Sequence, residues 1–180
     1  MSSRDGVNWK RWDEEFLRPG PNAHRWWQRN NHIAWGLVET KNDLPGDGRE
    51  LSLYAIENYY VGPCRLRWFS LRIDGFVSVN APYKGGEFTT RPLTFAGREL
   101  EINYAASAAG SLRVEMQDAG GKPLPGYALA DCPEIYGDQL ARAVSWKAGS
   151  DVGQFAGQPV RLRFVLKDAD LYSIQFTSGK

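Results

Sequence analysis

"ELEINYAASAAGSLRVEMQD", residues 99–118, alternates apolar and polar side chains in two runs. In the first, Leu100, Ile102 and Tyr104 share one side of an extended chain. In the second, Leu112, Val114 and Met116 do. Successive side chains of a strand point to opposite faces, so this period of two marks strands with one face in a core and the other in water. Ala109-Gly110 lies between the runs and reads as a turn, dividing the stretch into strands over 99–107 and 111–118.

The same rhythm extends outward in both directions. "FVSV" (76–79) and "GEFTTRPLTF" (86–95) precede it, while "LARAVSW" (140–146), "PVRLRFVLKD" (159–168) and "DLYSIQF" (170–176) follow, with a further turn at Gly120-Gly121. Short alternating strands at roughly 8–12-residue spacing predict an all-β, two-sheet antiparallel sandwich over residues 71–180, of jelly-roll type with about eight strands. Tyr104, Trp146 and Phe164 fall on its core positions. "SDVGQFAG" is good for one helical turn, capped by Ser150 or Asp151. The outward Arg161, Arg163 and Lys167, beside Asp168 and Asp170, read as a solvated charge ladder on a sheet face.

Residues 1–70 read differently. "VNWKRW" (7–12), "HIAWGLVET" (32–40), "ELSLYAIEN" (50–58) and "RLRWFSLRI" (65–73) make four candidate strands joined by polar, Gly/Pro-rich links. Several are apolar on both sides, which predicts an interior, doubly covered sheet with Trp35 and Trp68 in the core. Four strands in about 70 residues is the size of a somewhat long propeller blade. Asp5-Gly6 and Asp74-Gly75 both read as tight hairpin turns. The sandwich can cover one face of such a sheet, and the other needs a neighbour from outside this chain.

Bulk properties narrow the function. With 22 Lys+Arg against 21 Asp+Glu in 180 residues, the chain lacks the basic track that a nucleic-acid or acidic-membrane surface requires. No apolar run approaches a membrane span, and the first residues do not pattern as a signal peptide, so the compartment stays open. Cys64 and Cys132 are far apart and form no CxxC. They are a disulfide or two buried thiols, and a domain of this size does not need the disulfide.

"SRDGVNWKRW", through Ser3, Asp5, Gly6 and Trp9, resembles the Asp-box-like hairpin of β-propeller glycosidases and sialidases, one residue shorter than the full motif. The larger pattern, "AWGLVET", "ELSLYAIENYY", "LRWFSLRIDGFVSVNAPYKGGEFTTRPLTFAG", "GSLRVEMQDAGGKPLPGY" and "AGQPVRLRFVLKDADLYSIQF", is similar to the C-terminal part of bacterial proteins related to glycoside hydrolase families 32 and 43. The resemblance spans essentially the whole chain. It implies the last blade of a five-bladed propeller followed by a β-sandwich, with the catalytic carboxylates on earlier blades that this chain does not contain. The implied partners are glycan or those remaining blades, with a homo-oligomer expected if the chain is complete, and the parent proteins are expected to be exported.

A glycosidase needs two carboxyl groups across one bond, about 5–5.5 Å apart for retention or 6.5–9.5 Å for inversion. Glu39, at the end of "WGLVET", is the candidate for a funnel-facing acid; without a second acid it reads as a strand-end carboxylate paired with an arginine, and catalysis by this chain alone is not expected. Asp131, Glu134 and Asp138 in "ADCPEIYGD" are the candidates for holding Ca²⁺, against a solvated turn without EF-hand spacing. His24 and His32 fall short of a zinc set. Sugar binding is the better-supported activity, because sugar C–H faces stack on flat aromatic rings while amides and guanidiniums meet the hydroxyls. Its candidates are Trp26 and Trp27 in "HRWWQRNN", Tyr59 and Tyr60 in "NYY", and Tyr83 in "NAPYKGG". The alternative for the tryptophans is a buried plug. Three functions therefore stand: a non-catalytic carbohydrate-associated accessory module that stabilises the last blade, part of a hydrolase site completed by missing blades, and a purely structural sandwich.

Overall fold

The computed structural model describes all residues except 4, 27–30, 43–47, 60–61 and 180. The chain is all-β with antiparallel sheets, apart from three single turns of 3₁₀ helix among the described residues. No described helix is long and apolar enough to cross a membrane. Two compact units are present, one formed by Met1–Lys41 and Glu50–Leu71, the other by Asn42–Arg49 and Arg72–Lys180.

In the first unit β1 (Ser2–Ser3) pairs with β2 (Trp9–Lys10), and β3 (Val38–Lys41), β4 (Arg49–Glu57) and β5 (Arg65–Leu71) form a three-stranded sheet in that order. Among the described residues this is a hairpin and a three-stranded sheet, not one sheet of four. "VNWKRW" is the reason: its Trp9–Lys10 stretch pairs with Ser2–Ser3 in a separate two-stranded sheet, while "HIAWGLVET" joins the larger sheet in two pieces. Ile33 bridges Ala55 and the Ala34 N–H bonds the Tyr54 carbonyl (2.8 Å), but the chain bends at Trp35 and Gly36 (φ +95°) before rejoining β4 as β3.

The opening hairpin is wider than a two-residue turn, since Ser3 faces Trp9 across five intervening residues. Asp5 organises that loop. Its carboxylate accepts the Val7 N–H (2.9 Å), the Asn8 N–H (2.7 Å) and the Asn8 side-chain amide (2.7 Å), while Ser3 Oγ accepts the Gly6 N–H (2.9 Å). Trp9 closes the loop by donating its indole N–H to the Gly6 carbonyl (3.2 Å). Donors from Asn8, Val7 and Ser3 hold the Asp5 carboxyl well below the ordinary carboxylate range.

The second unit is a five-stranded, curled half-barrel built on two long strands, β8 (Glu99–Asp118) and β10 (Val160–Thr177). β6 (Val79–Ala81) and β7 (Gly86–Thr89) pair in succession along the outer edge of β10, and β9 (Asp138–Ala143) pairs with the first part of β8. Ala109-Gly110 is therefore no reversal: residues 99–118 are one strand that bends. Between the pairs Ala106/Ala169 and Ser111/Lys167, four residues of β8 lie opposite the single residue Asp168, which takes φ +43°. A bulge of this kind sharply increases local twist and turns a corner in a sheet.

The inward side chains follow these irregularities. On β8 they are Leu100, Ile102 and Tyr104 before the corner and Leu112, Val114 and Met116 after it, all nearly inaccessible as the alternation predicts. On β10 the inward set is Leu162, Phe164 and Leu166, then steps to Ala169 and Leu171 after Asp168, and back to Ile174 and Phe176 past a second register shift. The two halves of the bent sheet share one core, so they do the work the sequence assigns to two separate sheets. Tyr127, Cys132, Ile135, Val144, Trp146 and Val152, from the loops, complete that core. The helical turn in "SDVGQFAG" is a 3₁₀ turn at Gly153–Phe155, with Asp151 accepting the Gly153 N–H (2.8 Å).

Both cysteines are free. Cys132 is buried, its Sγ accepting the Val114 N–H (3.4 Å), and burial pushes its thiol up. Cys64 is exposed, contrary to the expectation that both are buried.

Candidate functional site: an aromatic sheet face

Pairing in the three-stranded sheet sets Tyr54 opposite Trp68, Ile56 opposite Leu66 and Ser52 opposite Ser70. These six alternate with Leu53, Ala55 and Phe69 and so occupy one face. Leu53 and Ala55, on the other face, are buried. The Tyr54 face is open instead: Tyr54 is 47% and Trp68 54% exposed, and Leu66 is exposed beside them. This overturns the reading of Trp68 as core, and Trp35 is likewise fully exposed at its bend. Alternation fixes which side of a strand a residue takes, whereas burial requires a second layer over that side.

The indole of Trp68 is oriented, because its N–H donates to Ser52 Oγ (2.7 Å), which also shares a hydrogen bond with Thr40 Oγ1 (2.6 Å). Directly opposed side chains have Cβ atoms about 4.5–5.5 Å apart. The face therefore offers two neighbouring aromatic rings, with the exposed Ser70 at one side, the buried Ser52 hydroxyl holding the indole from beneath, and an aliphatic rung at the other. Such a surface suits a ligand with alternating C–H patches and hydroxyls.

The opposite face ends in charge. Glu57 lies 2.9 Å from Arg25 Nε, 3.3 Å from Arg65 Nε and 3.1 Å from an Arg67 terminal nitrogen. Arg25 arrives on the 3₁₀ turn Ala23–Arg25, where Asn22 Oδ1 accepts the His24 N–H (3.0 Å).

The sequence candidates are dispersed. Trp26 directly follows Arg25 and is exposed, not a plug; its indole N–H is tied to the Gly20 carbonyl (2.7 Å). Tyr59 is half-buried in the same unit. Trp27 and Tyr60 lie outside the described residues. Tyr83 belongs to the other unit, exposed in a turn with the Lys167 ammonium 4.5 Å above its ring. Glu39 sits exposed on β3.

Asp131, Glu134 and Asp138 each have separate engagements. Asp131 accepts the Ala128 N–H (3.3 Å), Glu134 pairs with Arg113 (2.7 Å) and with the Tyr136 hydroxyl, and Asp138 pairs with Arg72. The Tyr136 hydroxyl, and then Arg113, hold the Glu134 carboxyl below its ordinary value. Among the described residues no three His, Cys, Asp or Glu side chains converge as a metal site would require.

A shallow groove of about 600 Å³ in the second unit is lined by Gly97, Arg98, Asp151, Gln154 and Ser178, with Arg98 and Asp151 paired to each other. Its only charges neutralise one another, so it ranks behind the aromatic face. Comparison with known proteins finds no matching family model, no matching curated protein and no matching solved structure.

Proposed function

We propose that this chain is a non-catalytic, carbohydrate-associated accessory module of a glycoside hydrolase-like protein, a propeller-blade-like sheet followed by a jelly-roll-type sandwich, and that it takes up glycan on exposed aromatic side chains. The observation that carries the reading is the Tyr54–Trp68 pair, opposed on one sheet face, half exposed, and with the indole held by Ser52. Solvent-facing aromatics whose orientation is already fixed lose little freedom when a sugar ring stacks on them. The Asp5-centred loop, with Ser3, Gly6 and Trp9 in the positions of an Asp-box-like motif, supports the family resemblance.

The test is binding of the full chain to a panel of soluble polysaccharides by affinity electrophoresis. Trp68→Ala and Tyr54→Ala should each weaken binding about three- to tenfold, the equivalent of one aromatic contact. Ser52→Ala should have a smaller effect in the same direction. Failure to retard on any polysaccharide would remove the reading.

A second reading rests on the same face. Leu66 beside the aromatic pair extends an exposed apolar patch, and such patches mark surfaces that another protein layer covers. A further propeller blade fits this description. It is favoured if Leu66→Ser and Trp68→Ala reduce self-association of the chain while glycan retardation is absent throughout.

A further inference from the structure

Among the described residues, three guanidiniums surround one carboxylate at the end of β4 and β5, an excess of two positive charges in the cluster. The surplus extends to hydrogen bonding. Each guanidinium brings five N–H donors, while a carboxylate offers about four acceptor positions. Glu57 and Arg25 are turned inward, their side chains only 14% and 12% exposed, whereas Arg65 and Arg67 are 64% and 47% exposed. Arg25 Nε is buried and has no well-directed hydrogen bond despite lying close to Glu57. Glu57 is thus fully occupied as an anchor, and Arg65 and Arg67 present spare donors to solvent from a shared sheet face. Trp26, exposed, follows Arg25 directly.

We infer that this end of the sheet binds an acidic glycan, one carrying carboxylate or sulfate groups on its sugar rings, with Arg65 and Arg67 meeting the anion and Trp26 meeting the ring. The inference rests on the carbohydrate reading above and adds a second glycan contact, at the end of the opposite face of the same sheet. Guanidinium forks pair with planar or tetrahedral oxyanions through two parallel N–H bonds. A separate anionic group on a sugar matches a two-arginine patch. A nucleic acid needs a longer basic track, and the whole chain carries a net charge of only +1.

The experiment compares polymers that differ in charge alone: polygalacturonate with its methyl ester, and dextran sulfate with dextran, each titrated calorimetrically into the full chain, with a single-stranded oligonucleotide alongside. At least one charged polymer should bind tenfold or more tightly than its neutral counterpart, with an affinity that falls as salt rises. Whichever pair gives the difference identifies carboxylate or sulfate as the group recognised. Arg65→Gln with Arg67→Gln should bring the charged polymer down to the neutral one. The comparison of charged with neutral polymers uses the unaltered protein, so it stands even if that variant folds poorly. Equal affinity within both pairs, undiminished charge preference in the double variant, or tighter binding of the oligonucleotide would overturn the inference. Equal affinities that still depend on Trp68 would overturn the acidic ligand alone, and no glycan binding at all would remove both proposals.

Discussion

Arg72 distributes its guanidinium over four acceptors within the second unit. Nε donates to Asn103 Oδ1 (2.6 Å), one terminal nitrogen to Asp138, and the other to the Tyr104 and Gln139 carbonyls (2.9 and 2.8 Å), with the Tyr172 ring 4.9 Å away. Asn103 in turn donates to the Ile73 carbonyl (2.8 Å), so side-chain donors on both sides fix the segment entering the unit to β8 and β9. Glu115 is a buried charge, opposite Arg163 on β10. Burial pushes its carboxyl up, but donors from the Gln117 amide (2.7 Å) and the Leu129 N–H (2.9 Å), with the Arg163 charge 3.6 Å away, outweigh that and hold it below its ordinary value of 4.5. A carboxyl whose folded-state value is lowered adds stability above its unfolded value, and that stability is lost as pH falls through the folded one. Glu115→Gln is therefore expected to lower stability at pH 7 by about 1–2 kcal/mol, the scale of a charged hydrogen bond lost. The gap should shrink progressively once the pH drops below about 4.5, the ordinary value of the group. Urea unfolding from pH 7 to pH 3 checks this, and an offset independent of pH would contradict it.

At the scale of elements, the corner in β8 is the feature on which the second unit depends. A Cβ at Gly110 would lie 2.2 Å from the Asp168 carbonyl oxygen and 2.8 Å from that of Lys167, both backbone atoms. Gly110→Ala must displace one strand from the other at the bend. Overpacking of this kind costs about 1–3 kcal/mol, and at a backbone contact the upper end is expected. For a unit of this size the melting temperature should fall by roughly 4–8 °C per kcal/mol. Ala108→Ser, two residues away and exposed, should stay within about 0.5 kcal/mol of the parent. If the two variants melt alike, the corner is not a close contact. The inward residues of residues 99–118 were legible from alternation, but the corner was not. A glycine serves a chain reversal and a close strand crossing equally well, and what distinguishes them is Asp168, more than fifty positions away. The same holds for β10, where the inward set moves from even to odd numbers at Asp168 and back near Tyr172. A strict period of two hides that step and reads one bent strand as two.

Across the whole molecule, buried hydrophobic side chains are unevenly shared. Among the described residues the continuous core cluster runs from Ala81 to Leu171, all in the second unit, while the first unit contributes Leu53 and Ala55 as its fully buried hydrophobics. The sequence suggested this asymmetry, since clean alternation belongs to residues after 71 and two-sided apolar strands to those before. It did not reveal that the apolar face with Tyr54, Leu66 and Trp68 stands open, because the alternation of a strand says nothing about what lies above it. For the same reason Trp26, Trp27, Tyr59, Tyr60 and Tyr83 were chosen by their loops, and the exposure of the aromatic pair on regular strands was not legible. The uneven core predicts how the chain divides when cut. Residues 72–180 expressed alone should unfold in one cooperative transition with the near-ultraviolet signal of packed Tyr127 and Trp146, whose rings lie 5.5 Å apart. Residues 1–71 alone should lack a cooperative transition, because so few buried hydrophobics cannot offset an ordering cost of about 1–2 kcal/mol per residue. Circular dichroism of the two segments decides the matter. A cooperative melt from residues 1–71 would mean that the open aromatic face finds cover within its own sequence, and it could not then serve as a free surface for glycan.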